Sequence, residues 1–179
     1  MSGLSVNIGK LKLKNPVMAA SGTFGYAKEF GDFFDLRKLG AIVTKTITLR
    51  PRAGNPPART CETPAGMLNS VGLDNPGLET FLEERFPALA KIGIPVIVSI
   101  ASEGGQEEFV ALARRLDSVK TIAAVELNIS CPNIKGARTP FDCTRGKQGR
   151  PSTALGASKV TSLISQDAKS TYNLIKTVR

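Results

Sequence analysis

A few polar side chains in this sequence have the types and positions that chemistry on a small ligand requires. Lys45 ends one apolar run and Asn128 lies near the end of another. Burying the Lys45 cation at the end of a strand is costly unless it meets an anion or a polar ligand. Ser21 follows a third run beside glycines that permit close backbone approach to a ligand, and Cys131 begins the loop after Asn128. Each also has a plainer interpretation, as a turn, a solvated strand end or a small buried cysteine.

A second candidate region is the segment 60–77, which is unusually rich in Gly, Asn and Pro. Such a composition requires unusual backbone angles and is typical of loops that carry function. Its central part runs from Asn69 to Leu73. We therefore expect these residues to take part in ligand binding.

Four short apolar runs predict the strands that would position these groups. They are β-branched and lack strict alternation, which is typical of parallel strands covered on both faces. The runs are 16–20, 41–45, 95–100 and 124–129. Ahead of them, alternating apolar residues in 4–13 around Gly9-Lys10 predict an N-terminal hairpin.

Helical periodicity separates the apolar runs. The apolar face of one helix is predicted from Leu78, Phe81, Leu82 and Phe86, after the helix-start signal Asn75-Pro76. A second is predicted from Phe109, Leu112, Ala113 and Leu116. A third helix, within 165–179, has one face formed by Ala168, Tyr172 and Ile175.

The resulting order is hairpin, β, α, β, a long loop with a helix, β, α, β, a polar loop and α, which indicates an α/β protein in one domain, 1–179. Two architectures fit. Four β/α units are half of a (β/α)8 barrel, which typically needs about 250 residues. A flavodoxin-like doubly wound sheet holds four or five strands in this length. We favour the barrel because its strand ends converge on one site, as the polar residues here require.

Composition excludes several classes of protein. Of the net charge of +9, residues 136–160 carry +4 and the remaining +5 is spread along the chain. With two tyrosines and no tryptophan, this distribution does not favour binding to nucleic acid. No apolar run approaches the roughly 18 residues that span a bilayer, and no secretory signal is visible, so we expect a cytoplasmic protein. Three scattered cysteines fit a reducing compartment.

Four segments, in order and at matching spacing, resemble the class 1 dihydroorotate dehydrogenases. They are Lys14–Gly25, Gly40–Thr48, Glu62–Leu73 and Glu126–Asn133. The resemblance extends over 4–135 and again over 163–179. The stretches "SGTFGY" and "TKTITLRPRAGNPP" are more similar to the NAD-linked 1B type than to the fumarate-linked 1A type.

The resemblance implies FMN-dependent oxidation of dihydroorotate to orotate in pyrimidine (UMP) biosynthesis. Dihydroorotate loses a proton from C5 and a hydride from C6 to the flavin N5, and Cys131 is the implied base. The implied FMN contacts are Ser21, Lys45, Thr46, Ser99 and Asn128. The implied substrate contacts are Lys45, Asn69, Ser70, Val71, Gly72, Leu73 and Asn128.

The 1B resemblance also implies a partner. Electrons would leave FMN through a second subunit that carries FAD and an iron-sulfur cluster, and the catalytic chains would form a homodimer within a heterotetramer. The chain itself has no Gly-x-Gly-x-x-Gly after a strand for a dinucleotide and no closely spaced cysteines for a cluster.

Two features depart from the family. Residues 136–162 are polar and aperiodic, so we expect a disordered insertion there, and Cys143 within it inherits no role. The resemblance also covers only about the first half of a barrel, the N-terminal hairpin plus four β/α units. The alternative is therefore an inactive half-barrel fragment with no independent catalysis.

Overall fold

The structure is a computed structural model that describes residues 3–103, 105–129 and 168–178. Its strands are β1 (Val6–Ile8), β2 (Leu11–Leu13), β3 (Met18–Ala19), β4 (Ala41–Val43), β5 (Thr60–Thr63), β6 (Gly66–Asn69), β7 (Val96–Ile100) and β8 (Ile122–Leu127). Its helices are α1 (Leu78–Thr80), a π-helical turn (Phe81–Arg85), α2 (Phe86–Ala90), α3 (Gln106–Asp117) and α4 (Ala168–Val178).

Four parallel strands form the central sheet in the order β3-β4-β7-β8. The order follows the chain without reversal, whereas a doubly wound sheet reverses its order at a switch point. The helices described here contribute to a single buried cluster with one face of this sheet. The four strands therefore contradict the flavodoxin-like alternative and have the sequential arrangement that a barrel also uses.

The two faces of the sheet are covered by different elements. Ile42, Val98 and Ile100 point to the helical side, where they share a core with Phe109 of α3. The hairpin β1–β2, predicted from its alternation, covers the other face.

That hairpin packs through one buried leucine. Leu13 forms a small cluster with Ala41, Val43 and Ile97 at the amino-terminal part of the face. Strand alternation places Ser99 on the same face as Ile97, one step nearer the carboxyl edge. The hairpin thus closes one end of this face, and the polar strand ends lie at the other.

Burial separates central strands from edge strands. All residues of β4 and β7 are buried, as expected of strands covered on both faces. In the run that contains β3, by contrast, Val17 and Met18 are 58% and 37% exposed. The expectation of cover on both faces is wrong for β3, because it is an edge strand in the described part of the sheet.

The connection from β3 to β4 differs from the expected helix. It contains two 3-10 turns, Lys28–Phe30 and Leu36–Lys38, instead of an α-helix. Gly25 and Ala27 have positive φ angles of 50° and 66°, which break a right-handed helix at its start. The Phe24 and Phe30 rings stack with centroids 4.3 Å apart and hold the compact turn together.

The other helices follow the predicted periodicity with local differences. Phe109, Leu112 and Leu116 of α3 are buried as expected. The helix after Asn75-Pro76 begins at Leu78, and it widens into the π turn just before Pro87, which has no N–H to donate.

The segment 60–77 contains the exposed hairpin β5–β6, which its polar sequence did not predict. In α4 the buried residue is Leu174, whereas the predicted face that includes Tyr172 and Ile175 is exposed. The expected disordered insertion at 136–162 lies outside the described residues.

No helix in the described ranges is long and apolar enough to span a bilayer.

Candidate functional site

The hydroxyl of Thr46 joins three other predicted cofactor contacts. Its Oγ1 lies 3.1 Å from Ser21 Oγ and 2.9 Å from Ser99 Oγ, and Asn128 Nδ2 donates to it over 3.0 Å. A threonine hydroxyl has one hydrogen to donate and two lone pairs. With Asn128 donating, Thr46 therefore donates to one serine and accepts from the other, which uses its full capacity.

Three strands and one strand extension deliver these four residues. Ser21 follows β3, Ser99 lies within β7 and Asn128 follows β8. Thr46 lies in the segment after β4 that continues beside β7, because Ile47 N donates to Ser99 O over 2.9 Å. Carboxyl ends of parallel strands lie at one edge of a sheet, so residues distant in sequence converge there.

The segment after β4 alternates buried threonines. Thr44, Thr46 and Thr48 are 0%, 2% and 1% exposed. Thr44 Oγ1 accepts from Ser99 N over 3.2 Å, and Thr48 Oγ1 donates to Arg50 O over 2.7 Å. A buried hydroxyl without a partner costs about 1–3 kcal/mol, so these bonds hold the segment in place.

Lys45 lies between two of these threonines and is half-buried. Its backbone N donates to Gly25 O over 2.9 Å, which ties the lysine to the loop after β3. Its neighbours in the chain place it beside the cluster around Thr46.

The predicted substrate residues 69–73 form a second group. Asn69 ends the exposed strand β6. The carbonyls of Ser70 and Val71 accept from Asn55, from its Nδ2 at 2.7 Å and its backbone N at 3.0 Å. These carbonyls are turned toward the loop of residues 50–59.

Gly72 and Leu73 adopt left-handed backbone conformations. Their φ angles are 76° and 55°. Glycine adopts this conformation freely, whereas for leucine it costs about 1–3 kcal/mol and persists only where the surroundings enforce it. A Cβ on Gly72 would also lie 2.8 Å from the Asn55 side chain. The unusual angles predicted from the composition are confirmed at this position.

Asn75 connects the second group to the threonine segment. Its Oδ1 accepts from the backbone N of Thr48 and of Gly77, and its Nδ2 donates to Leu73 O over 2.6 Å. The amide is 6% exposed and bonded through both of its polar atoms. It acts as a structural bracket ahead of α1.

Cys131 lies outside the described residues, so its implied role as base stays a prediction. Sequence reasoning did not single out Thr44, Arg52, Asn55 or Asn75 as parts of the site. The period-two pattern of Thr44, Thr46 and Thr48 within a buried segment was the signal that could have identified Thr44.

Tyr26 is a half-buried residue whose hydroxyl is buried and has a perturbed pKa. Burial raises its pKa to about 12, the nearby Asp74 and Glu29 raise it too, and Arg85 opposes them. Its hydroxyl has no hydrogen-bond partner among the described residues. An acid this weak stays protonated at neutral pH and does not act as a base there.

The donor set at the carboxyl edge fits a polar organic cofactor better than a metal ion. Hydroxyls, an amide and a half-buried lysine match the polar edge and the anionic parts of a flavin nucleotide. Across the described ranges, no cluster of three His, Cys, Asp or Glu residues could hold a metal ion.

Polar groups gathered from several strands at the carboxyl edge of a parallel sheet define an α/β protein with a site for a small polar ligand. The family model described as dihydroorotate dehydrogenase matches residues 3–143. The chain belongs to the dihydroorotate dehydrogenase family.

Its curated relatives carry the name dihydroorotate dehydrogenase B (NAD(+)), catalytic subunit. The protein of Desulforudis audaxviator is 55% identical over 137 residues, which is 76% of this chain and 44% of the relative. That of Thermoanaerobacter pseudethanolicus is 54% identical over 138 residues, which is 77% of this chain and 45% of the relative. The chain thus spans less than half the length of these relatives.

Proposed function

We propose that this chain supplies the N-terminal part of an FMN-dependent dihydroorotate dehydrogenase. The observation that carries the proposal is that Ser21, Ser99 and Asn128 all hydrogen-bond to the hydroxyl of Thr46. These residues, with Lys45, are the FMN contacts that the family resemblance implies. FMN, when bound, supplies the acceptor for the hydride that leaves C6 of dihydroorotate.

The proposed architecture is a (β/α)8 barrel to which this chain contributes the hairpin and four β/α units. Sequential strand order, helices on one face and a hairpin closing the amino end of the other face support it. In a barrel the hairpin side of the sheet is the interior. Ser99 and Asn128 then face the mouth at which barrel enzymes hold their ligands.

The substrate contacts are Lys45, Asn69, Ser70, Val71, Gly72, Leu73 and Asn128. The Lys45 cation complements the orotate carboxylate and stabilises negative charge that develops during the oxidation. Asn69 and Asn128 carry amide N–H and carbonyl groups that match the imide edge of the pyrimidine.

Cys131 takes the proton from C5 on its Sγ. A free cysteine has a pKa of about 8.5, so its thiolate must be favoured by its surroundings or the rate must rise with pH. Cys131 would hold the proton from C5, and bound FMN would supply the hydride acceptor, so that the two-electron oxidation of dihydroorotate to orotate balances.

The relatives' name includes NAD(+) and a catalytic subunit, which supports the 1B type. We propose, from the family resemblance, that the chain is part of a cytoplasmic homodimer within a heterotetramer. The partner subunit carries FAD and an iron-sulfur cluster and passes electrons on to NAD. The alternative is a half-barrel fragment with no catalysis of its own.

Two measurements test the proposal. Because a site supplied by one half of a barrel lacks preorganisation, the 179-residue chain alone should retain little FMN through gel filtration. A chimera of residues 1–135 with the remaining length of the Desulforudis audaxviator relative should retain FMN, and dihydroorotate should bleach its flavin absorbance without oxygen. A chimera that folds and binds FMN but is not reduced by dihydroorotate contradicts the proposed substrate.

A further inference from the structure

The Arg52 side chain connects two loops that are distant from each other in the sequence. Its Nε donates to Gly72 O over 2.6 Å, in the segment 69–73. Its Nη1 forms an ion pair with the carboxylate of Glu103, in the connection from β7 to α3. The Arg52 side chain is 20% exposed and the Glu103 side chain 40% exposed, so the arginine is well shielded from water and the ion pair only partly so.

The backbone of Arg52 holds the same segment from its other end. Arg52 N donates to Asn75 O and Asn75 N donates to Arg52 O, each over 2.9 Å. Gly72 O is held by the guanidinium and Leu73 O by the Asn75 side chain. Arg52 and Asn75 thus enclose the strained Leu73 and keep it in its left-handed conformation.

Glu103 is itself anchored to the start of α3. Its backbone N donates to Glu108 Oε2 over 2.8 Å, and Ser102 Oγ donates to the same oxygen over 2.9 Å. This connection follows β7, the strand that carries Ser99. The contact between Arg52 and Glu103 therefore relates the segment 69–73 to the strand that carries part of the Thr46 cluster.

Only arginine can make this pair of contacts. Its guanidinium is planar and presents donors in a fixed fork, so one side chain serves a carbonyl and a carboxylate in different directions. A lysine ammonium is a point charge on a flexible stem. It can reach one of the two acceptors without fixing their spacing.

We propose that Arg52 is a positioning residue that locks the segment 69–73 to the β7–α3 connection and so fixes the spacing between the substrate side and the flavin side of the site. This inference deepens the proposed function, because it rests on residues 69–73 being the substrate segment. Arg52 acts through Gly72 and does not itself touch the substrate.

The first test measures hydrogen–deuterium exchange of backbone amides in the full chain. Arg52→Lys should speed exchange about tenfold in peptides covering 50–56 and 69–76 and leave β7 unchanged. Glu103→Gln keeps the bond to Gly72 and should give a smaller increase at the same peptides. Arg115→Lys, which alters the exposed pair with Glu79, is the matched control and should change neither.

The exchange results decide the lock without any ligand. Unchanged exchange at 69–76 in both Arg52→Lys and Glu103→Gln overturns it. An equal increase throughout β7 also overturns it, because Arg52 would then contribute to general stability.

The second test separates positioning from stability in the FMN-loaded holoenzyme, which here means the chimera of residues 1–135 with the remaining length of the Desulforudis audaxviator relative. Arg52→Lys should raise KM for dihydroorotate about tenfold and leave kcat within about twofold, because uniform binding is what a displaced segment loses. An unchanged KM overturns the positioning role. If the parent holoenzyme does not turn over dihydroorotate, the proposed function fails, and the exchange experiment still decides whether the lock exists.

Discussion

Thr46 Oγ1 and Ser99 Oγ are 53 residues apart in the chain and 2.9 Å apart in space. Both side chains are buried, at 2% and 0% exposure. Water cannot take the place of either hydroxyl as a hydrogen-bond partner unless β7 and the segment after β4 separate. The pair therefore joins β7 to the segment after β4 at the edge where the candidate site lies.

Thr46→Val should destabilise the chain by about 1–3 kcal/mol, because valine keeps the shape and leaves the buried Ser99 and the half-buried Ser21 and Asn128 without their shared partner. Urea unfolding followed by circular dichroism measures the difference. Thr121 is an exposed threonine, and Thr121→Val should stay within about 0.5 kcal/mol of the parent. If both substitutions changed the free energy of unfolding equally, the hydrogen bonds of Thr46 would contribute nothing to stability.

Gly72→Ala should also destabilise the chain, by about 1–3 kcal/mol. The added Cβ would lie 2.8 Å from the Asn55 side chain. The alanine would also have to adopt the left-handed backbone conformation of this position. Gly66→Ala, on the exposed strand β6 with no atom within 4 Å of its added Cβ, is the matched control. The comparison uses unfolding midpoints in urea. A Gly72→Ala variant as stable as Gly66→Ala contradicts the close approach of Asn55.

Tyr26 should ionise near pH 12 in the folded chain. Two tyrosines are present, so Tyr172→Phe leaves Tyr26 as the sole source of tyrosinate absorbance in the ultraviolet. Burial raises its pKa from 10.0 to about 12, because it disfavours the phenolate. A midpoint near 10 in folded protein would mean that the ring is solvated.

The same shift has a consequence for stability. A raised pKa in the folded state means that the contribution of Tyr26 is complete below about pH 10 and is lost as pH rises through about 12. Stability should therefore fall over this interval. Tyr26→Phe should flatten that fall and leave stability at neutral pH unchanged or slightly higher, because it removes a buried hydroxyl that has no partner in the described part of the chain.

In the holoenzyme, Cys131→Ser should slow flavin reduction by dihydroorotate about 10²–10⁴-fold, with the loss easing at high pH. Serine is a much weaker acid than cysteine, so proton removal from C5 becomes limiting. Stopped-flow absorbance measures the reduction, and Cys61→Ser, in strand β5 of the exposed hairpin, is the matched control with no expected effect. Reduction by Cys131→Ser within about twofold of the parent rules out the base assignment.

Electron transfer to NAD should require the partner subunit. The catalytic chain alone, in its holoenzyme form, should reduce artificial acceptors and gain NAD activity when the FAD and iron-sulfur subunit is added. Rapid turnover with fumarate would move the protein to the 1A type. Rapid turnover with NAD in the absence of a partner would contradict the proposed route.

Local sequence determined the elements whose patterns have a strict period. Alternation over 4–13 predicted the β1–β2 hairpin, and the spacing of Phe109, Leu112 and Leu116 predicted the buried face of α3. These patterns report which side of an element is apolar, and that side is buried wherever the element packs. The residue types of the four motifs were likewise sufficient to predict family membership.

Tertiary structure decided what depends on neighbours distant in sequence. Whether β3 is covered or exposed depends on its place at the sheet edge, and whether Leu174 or Tyr172 of α4 is buried depends on the orientation of the helix against α3. The junction at Thr46 and the Arg52 contacts join residues that no local period relates. Such contacts form only when parallel strands bring their ends to one edge, because hydrogen bonds require atoms within about 3 Å, a proximity that sequence spacing alone does not specify.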